Sequence, residues 1–291
     1  MGLDVQTLRA LLAAKNLGAN FIRTATLGRQ DLNMDANETY KVFNAFGHHL
    51  TGSSSSSNRQ NTLTTDLVLN RLGAQQVRAV DNSDYEGASI VMDLGKPISD
   101  DYEESFSFVW DGGTLEHVFE FPTALKNCMR MVEKDGHLLI ATVANGFCGH
   151  GFYQFSPELF YRTLNESNGF SIEFMCFADA YGGNFFSIED PEQMKTRLNF
   201  SSVLSTYLFV LAKRRAIVPI FERPVYQSDY AAKWDRVESN GQSLSQGLWH
   251  KLSKRIVSPK ARTALKSVFC PFRRFGLTEV YPERVGLKQN S

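Results

Sequence analysis

Three aspartates stand where short apolar runs of the sequence end. They are Asp81 after Val77–Val80, Asp93 after Ser89–Met92 and Asp111 after Phe106–Trp110. Apolar runs of this length are typical of buried strands, and ligands bind at the carboxyl ends of strands in an open α/β sheet. An isolated aspartate at a strand end is more often a turn or cap residue. The repetition at three successive strand ends therefore indicates a ligand site.

Two histidines are the side chains best suited to accept a proton. His117 follows Glu116 shortly after an Asp-Gly-Gly sequence, and His150 lies in a segment rich in glycine and aromatic residues. The pKa of a free imidazole lies close to neutral pH, so either ring can take a proton from a hydroxyl nucleophile. We expect His150 to be the general base and keep His117 as the second candidate. The alternatives are that Glu116 and His117 cap a helix or hold a ligand, and that His150 is bonded to backbone in a packed loop.

The segment Phe106–Asn145 has the clearest structural pattern. Its first apolar run is cut off at Asp111-Gly112-Gly113, and Pro122 suits the first turn of a helix because it lacks an N–H group. One apolar helical face follows, formed by Leu125, Cys128, Met129 and Val132. Asp135-Gly136 breaks that helix, and Leu138–Val143 is almost continuously apolar, as in a strand buried on both faces. The pattern predicts a βαβ unit of a parallel sheet.

The remaining elements surround this unit. Helices are predicted from Val5 to about Asn16, capped by Asp4, over Thr62–Leu72, and from Ser156-Pro157-Glu158 onward. Strands are predicted over Phe21–Leu27, Val77–Val80, Ser89–Met92, Ile172–Phe177 and Thr206–Ala212, which brings the total to seven. No clear sheet pattern follows residue 213, so we expect a helical or irregular appendage there.

The run from Trp110 to Val118, with the helix, turn and strand after it, resembles the second half of a class I S-adenosylmethionine-dependent methyltransferase domain. The similarity is to the small-molecule group that includes the ubiquinone-type methyltransferases. It spans about residues 18–213 and is strong over Phe106–Asn145. It implies a Rossmann-like, doubly wound α/β fold with a mostly parallel seven-stranded sheet whose last strand runs antiparallel. The chain has Glu133-Lys134-Asp135-Gly136 where the family usually has Lys-Pro-Gly-Gly, and the turn is preserved.

The same resemblance assigns the cofactor, S-adenosyl-L-methionine, to particular residues. Asp81 takes the position of the ribose-binding acid and Asp93 that of an adenine contact, while Asp111, Gly112, Gly113 and Glu116 stand beside the methionine end. The first loop departs from the family, because Gly28 is its one glycine and no acid precedes it. We expect Gly28 to make the turn and Arg29 to hold the cofactor carboxylate. The alternative is a degenerate loop in a non-catalytic partner protein with this fold.

The acceptor pocket is expected in the loop after the fifth strand, where related methyltransferases build it. Phe147, Phe152 and Tyr153 are the candidates for stacking on a ring or sugar. The resemblance then implies methyl transfer to a hydroxyl, less readily an amine, of a small-molecule or glycan acceptor. An ordinary packed loop is the alternative.

Charge is distributed unevenly along a chain whose net charge is zero. Residues 213–291 contain 16 Lys and Arg against 6 Asp and Glu. The basic segment 251–274, interleaved with apolar residues, suits an anionic membrane surface, although it can equally pack on the acidic part of the chain. A polyanion- or nucleic-acid-binding module using this tail is a further alternative, but no motif for base-specific reading is present.

Other features exclude further classes of function. The four cysteines show no CxxC spacing, so neither a disulfide framework nor a zinc or other metal site is predicted. We expect no signal peptide and no transmembrane segment, and therefore a cytoplasmic protein that can be peripheral to a membrane.

The domain organisation follows from these elements. We expect a methyltransferase-like domain over residues 1–213, with a helix at 4–17 and a mobile serine-rich loop at 51–60, and a basic appendage over 214–291.

Overall fold

A computed structural model describes residues 2–48, 63–194, 197–198, 200, 202–230 and 277–284. The serine-rich loop at 51–60 and the basic segment 251–274 lie outside the described residues. The strands are β1 Arg23–Leu27, β2 Gln76–Asp81, β3 Ile90–Val91, β4 Phe106–Asp111, β5 Val132–Asn145, β6 Phe170–Asp179, β7 Phe185–Ile188, β8 Thr206–Arg214 and β9 Leu277–Val280. The helices are α1 Val5–Asn16, α2 Ala36–Ala45, α3 Thr65–Leu72, α4 Phe121–Met131, α5 Pro157–Thr163 and α6 Pro191–Met194.

The helix termini follow local sequence signals. Asp4 caps α1 by accepting a hydrogen bond from the Thr7 amide at 2.8 Å. Gly73 ends α3 in the left-handed conformation that glycine adopts without strain. Ser156 caps α5, which begins at Pro157. These three predicted helices are confirmed, and α4 carries Pro122 in its first turn as expected.

The strands form one sheet in the order β3-β2-β1-β4-β5-β8-β6-β7-β9. The first five run parallel, and β8 lies antiparallel between β5 and β6. From β1 the chain winds outward through β2 and β3, and then returns to build β4 and β5 on the other side. This is a Rossmann-like, doubly wound α/β fold, and the reversal between β1 and β4 is where such sheets bind ligands.

The seven predicted strands and the antiparallel final strand of that set are confirmed. Two strands were not predicted: β7 pairs with β6, and β9 pairs with β7 at the sheet edge. Residues Leu277–Val280 therefore return to the sheet, where the sequence indicated only a helical or irregular appendage. A four-residue edge strand is too short to show a periodic pattern. The helix of the βαβ unit was predicted to continue to a break at Asp135-Gly136, but α4 ends at Met131 and Val132 begins β5.

Both faces of the sheet are covered. On one face α4 and α5 pack with Phe106, Val109 and other apolar strand residues, and on the other α1, α2 and α3 pack with Phe108 and Trp110. All six residues of β4 are buried, so its end at Asp111 is held in place from both sides. Among the described residues, no helix combines the length and apolar character needed to cross a bilayer.

Candidate functional site

The carboxyl ends of β1, β2 and β4 meet at the reversal point of the sheet. Leu27 at the end of β1 pairs in register with Asp111 on one side and with Val80 on the other. The Gly28 amide donates a hydrogen bond to the Val80 carbonyl at 2.7 Å. The structure thus brings Gly28, Asp81 and Asp111, all singled out from the sequence, to one edge.

Gly28 makes the tight turn after β1. Its φ is +71°, and a Cβ on it would lie 3.2 Å from Thr114 Oγ1 and 3.7 Å from Asp81 Oδ2. Thr114 Oγ1 donates to the Leu27 carbonyl at 2.8 Å, which ties the loop after β4 to the same turn. A single glycine therefore brings the backbone of this loop close to the acid at the end of β2.

A cleft of about 380 Å³ opens beside this turn. It is lined by Val80, Asp81, Asn82, Met92, Asp93, Leu94, Thr114, His117, Val118, Phe119 and Phe152. Its volume lies within the range of small-molecule sites. Residues after β2 and β3 contribute to its lining together with residues of the segment 114–119 and Phe152.

The two acids in the cleft have different surroundings. Asp81 Oδ1 accepts a long hydrogen bond of 3.4 Å from the Ser83 amide. Asp93 pairs with Lys96 at 3.0 Å and accepts from the Gly95 amide at 2.9 Å. The Lys96 side chain and the Gly95 amide lower the pKa of Asp93, so this carboxylate is ionised at neutral pH.

Asp111 lies beneath the loop that follows β4. Its side chain is fully buried, and its Oδ1 accepts from the amides of Thr114 at 2.8 Å and Leu115 at 3.3 Å. Burial and the neighbouring Glu116 carboxylate raise the pKa of Asp111 to about 8. Asp111 therefore shapes the Gly112-Gly113 loop from below.

The loop after β1 places a residue that the sequence did not single out. Arg29 is exposed and pairs with Asp66 at 3.3 Å. Gln30 instead lies against Gly112, because a Cβ on Gly112 would overlap Gln30 Oε1, and Gln30 Nε2 donates to the Leu27 carbonyl. The sequence offered no signal for this contact, since it joins two loops far apart in the chain.

Glu116, His117 and His150 form a compact cluster. Glu116 and His117 lie in a single 3₁₀ turn, and the rings of His117 and His150 are 4.9 Å apart between centroids. Glu116 is fully buried; its Oε2 accepts from Thr142 Oγ1 at 2.9 Å, and its Oε1 lies 3.6 Å from His150 Nε2. One ligand atom from each residue lies within 4.8 Å of the other two.

The loop after β5 brings His150 to this cluster through backbone contacts. The Phe152 and Tyr153 amides both donate to the Glu116 carbonyl, at 2.9 and 3.3 Å. A Cβ on Gly151 would lie 2.8 Å from that carbonyl oxygen, so only glycine allows the close approach. Burial lowers the pKa of His150, His117 adds to this effect, and the Glu116 carboxylate opposes it. The ring is therefore neutral at pH 7.

The three aromatic residues expected in an acceptor pocket are placed differently from one another. Phe147 stacks on Tyr207 with ring centroids 5.4 Å apart, and the Tyr153 hydroxyl donates to the Phe119 carbonyl at 2.7 Å. Phe152 lines the cleft, and it meets Phe119 edge to face with ring centroids 5.8 Å apart. Phe152 and Phe119 are 67% and 68% exposed. This open aromatic pair includes a residue that the sequence analysis missed.

No protein-family model and no curated protein matches this chain. Among solved structures, YcgJ from Bacillus subtilis is 9% identical with a TM-score of 0.39, over 72% of this chain and 99% of that one. A candidate methyltransferase from Bacillus halodurans is 10% identical with a TM-score of 0.37, over 71% and 99%. The branched-chain polyamine synthase from Thermus thermophilus, in complex with 5'-methylthioadenosine, is 13% identical with a TM-score of 0.39, over 77% and 61%. Likenesses this weak carry no argument about what this chain does.

Proposed function

We propose that this protein is an S-adenosylmethionine-dependent methyltransferase that acts on a hydroxyl of a small-molecule or glycan acceptor. The observation that carries the proposal is the cleft at the reversal point of the sheet, which Asp81, Asp93 and His117 all line. The resemblance of the Trp110–Val118 run to the methyltransferase family points to the same edge of the sheet.

The residues present fit the separate parts of the cofactor. Asp81 is half-exposed and faces the Gly28 turn, so its carboxylate is placed to accept hydrogen bonds from a ribose diol. Met92 and Leu94 flank Asp93 and offer apolar contact to an adenine ring. Gly28 and Gly112 bring the backbone of their two loops close to the position proposed for the methionine end. Gln30 borders that space in place of the glycines and acid of the family's usual loop.

The chain's own contribution to the reaction is positioning and proton uptake. Bound in the cleft, the cofactor supplies a methyl group on an electrophilic sulfonium. Phe119 and Phe152 present an apolar surface to a ring or sugar beside this position. His150 is neutral and Glu116 is buried next to it, so this pair can take up the proton that an acceptor hydroxyl loses. Holding the acceptor in line supplies the larger part of the rate.

Calorimetric titration with S-adenosylhomocysteine tests this proposal. We expect micromolar binding to the wild-type protein and at least about a tenfold loss, or about 1.4 kcal/mol, for Asp81→Ala. Asp84→Ala is the matched control, because Asp84 is an exposed acid in the same loop that does not line the cleft. Absence of binding to folded wild-type protein, or equal loss in both variants, would contradict the proposal.

A further inference from the structure

The Glu116, His117 and His150 cluster contains buried polar atoms whose missing partners proton uptake does not explain. Glu116 Oε1 and His150 Nε2 are both buried atoms without a hydrogen-bond partner, although they lie only 3.6 Å apart. The Glu116 side chain is 0% exposed. Leaving a carboxylate oxygen buried and unpaired costs free energy, because the atom has lost its hydration and gained nothing in exchange. A ligand that binds both atoms would remove this cost.

We propose that Glu116, His117 and His150 bind a divalent transition-metal ion. The donor set of two imidazoles and one carboxylate is that of catalytic zinc sites, which hold the ion by three side chains and keep one position open. It also suits other first-row divalent metals that take nitrogen and oxygen ligands. The sequence predicted no metal site, because the cysteine spacing indicated none and these ligands come from two separate loops.

The distances are compatible with one shared ion. Two ligand atoms that each lie about 2.1 Å from a tetrahedral ion are about 3.4 Å apart. Glu116 Oε1 and His150 Nε2 are separated by 3.6 Å, and all three ligand atoms lie within 4.8 Å of one another. His117 is exposed, so its ring can rotate to close the remaining distance.

The surroundings also favour a cation. Thr142 Oγ1 donates to Glu116 Oε2 at 2.9 Å and so fixes the carboxylate with its other oxygen toward His150. Such outer hydrogen bonds orient metal ligands in proteins.

A metal ion here would lie beside the cleft, because His117 lines the cleft as well. Its use in catalysis rests on the proposed function. As a Lewis acid it would lower the pKa of an acceptor hydroxyl, whose proton would leave to solvent. The methyl–sulfur bond would then break as the methyl–oxygen bond forms, and the electron pair of the broken bond would remain on sulfur as a neutral thioether. In this arrangement His150 is a ligand and not the proton acceptor.

Metal binding can be measured without the cofactor. Chelator-treated full-length protein is titrated with Zn²⁺ by calorimetry, and with Co²⁺ by visible absorption, which reports the ligand geometry. We expect one equivalent of Zn²⁺ to bind with a Kd of about 1 µM or below. Glu116→Gln and His150→Gln should each weaken binding at least about tenfold, with circular dichroism confirming that the variants are folded.

His48→Gln provides the matched control. His48 bonds Asn16 at 3.3 Å and is not a member of the cluster, so its variant should bind Zn²⁺ as the wild type does. Absence of one-equivalent binding, or binding unchanged in both cluster variants, would overturn the inference. The proposed function stands or falls separately: retained S-adenosylhomocysteine binding without metal binding would sink only the metal site, and the reverse result would sink only the cofactor site.

Discussion

Two histidine–glutamate pairs lie toward opposite ends of the sheet, and they differ. One contains His137 of β5, and the other lies in the loops after β4 and β5. At the amino end of the sheet, His137 Nε2 lies 3.2 Å from Glu173 Oε2, and Arg215 donates to Glu173 Oε1 at 3.2 Å. Both oxygens of Glu173 therefore have partners. At the carboxyl end, the His150–Glu116 separation is 3.6 Å and Glu116 Oε1 accepts no hydrogen bond within the described structure.

The difference lies in the two carboxylates, because His137 Nδ1 is also buried without a hydrogen-bond partner. We interpret the Glu173 pair as structural and the Glu116 pair as functional. Burial alone would raise the pKa of Glu173, but His137 and Arg215 outweigh it and hold that pKa below its ordinary value. At the other end, burial raises the pKa of Asp111 to about 8, and Glu116 reinforces the shift. A buried acid with a raised pKa lowers the stability of the folded protein. Such acids are typical of functional sites, and these lie where an α/β sheet binds ligands.

The largest expected effect is that of Asp111→Asn on stability. Between about pH 4 and 8 the unfolded chain ionises this acid while the folded protein keeps it protonated, so wild-type stability falls as the pH rises. The variant lacks this titration. In the presence of chelator, its free energy of unfolding should exceed that of the wild type by on the order of 3 kcal/mol at pH 8. Urea denaturation at pH 5 and 8 measures this difference in the free energy of unfolding. A difference independent of pH would contradict the claim that burial keeps Asp111 protonated.

Glu173→Gln should act in the opposite direction. The low pKa of Glu173 means that the folded protein binds this proton less readily than the unfolded chain, so the ionised acid contributes stability above its unfolded pKa. We expect the variant to lose about 1–2 kcal/mol at pH 7. This loss should shrink as the pH falls through the folded-state pKa, which lies below the ordinary value for glutamate. Denaturation curves at a series of pH values from 7 downward measure the loss, and a loss that does not change with pH would show that the charge is irrelevant.

Two glycines allow a test of the two ends with the same substitution. Gly112→Ala at the carboxyl end places a Cβ on Gln30, and the backbone of Gly112 is not in the left-handed region. We expect about a tenfold loss of S-adenosylhomocysteine affinity. Adding Gln30→Ala should recover part of it, because the clash is then relieved.

Gly136→Ala at the amino end is the comparison. Its Cβ would lie 3.0 Å from the carbonyl oxygens of Glu133 and Ser107. Gly136→Ala should lower the free energy of unfolding and leave the affinity for S-adenosylhomocysteine unchanged. Reduced affinity in this variant would contradict the distinction between a ligand-binding and a structural end of the sheet. Calorimetry and urea denaturation of the same preparations report both quantities.

Phe152→Ala should have the smallest effect. The side chain is 67% exposed, so its removal should change the free energy of unfolding by no more than about 0.5 kcal/mol. It lines the cleft, and we expect a loss of S-adenosylhomocysteine affinity of only about threefold. Tyr181→Ala is the control, an exposed aromatic that does not line the cleft. Indistinguishable affinities of the two variants would remove Phe152 from the site.

Much of the fold could be predicted from the sequence because strands buried on both faces appear in it as apolar runs. The run Phe106–Trp110 and the antiparallel strand that begins at Thr206 are examples, and each is found where it was expected. Aspartates that end such runs could likewise be placed at the sheet edge, as Asp81 and Asp93 show.

What could not be predicted depends on contacts between distant loops. Gln30 meets Gly112, and His150 meets Glu116, only because the strands between them are in register. The direction of an exposed side chain is equally absent from a sequence pattern, so the ion pair of Arg29 with Asp66 could not be foreseen. The assignment of Arg29 to the cofactor stays a prediction. Strand β9 is defined by its pairing with β7, and its own residues show no periodic pattern that would predict a strand.

The central claim is that ligand binding belongs to the carboxyl end of the sheet and structural support to the amino end. Hydrogen–deuterium exchange with and without S-adenosylhomocysteine tests it directly. We expect slower exchange in peptides covering residues 80–94 and 112–118, and no change in those covering 133–137 and 171–175. Unchanged exchange throughout, or protection confined to the amino-end peptides, would contradict the account.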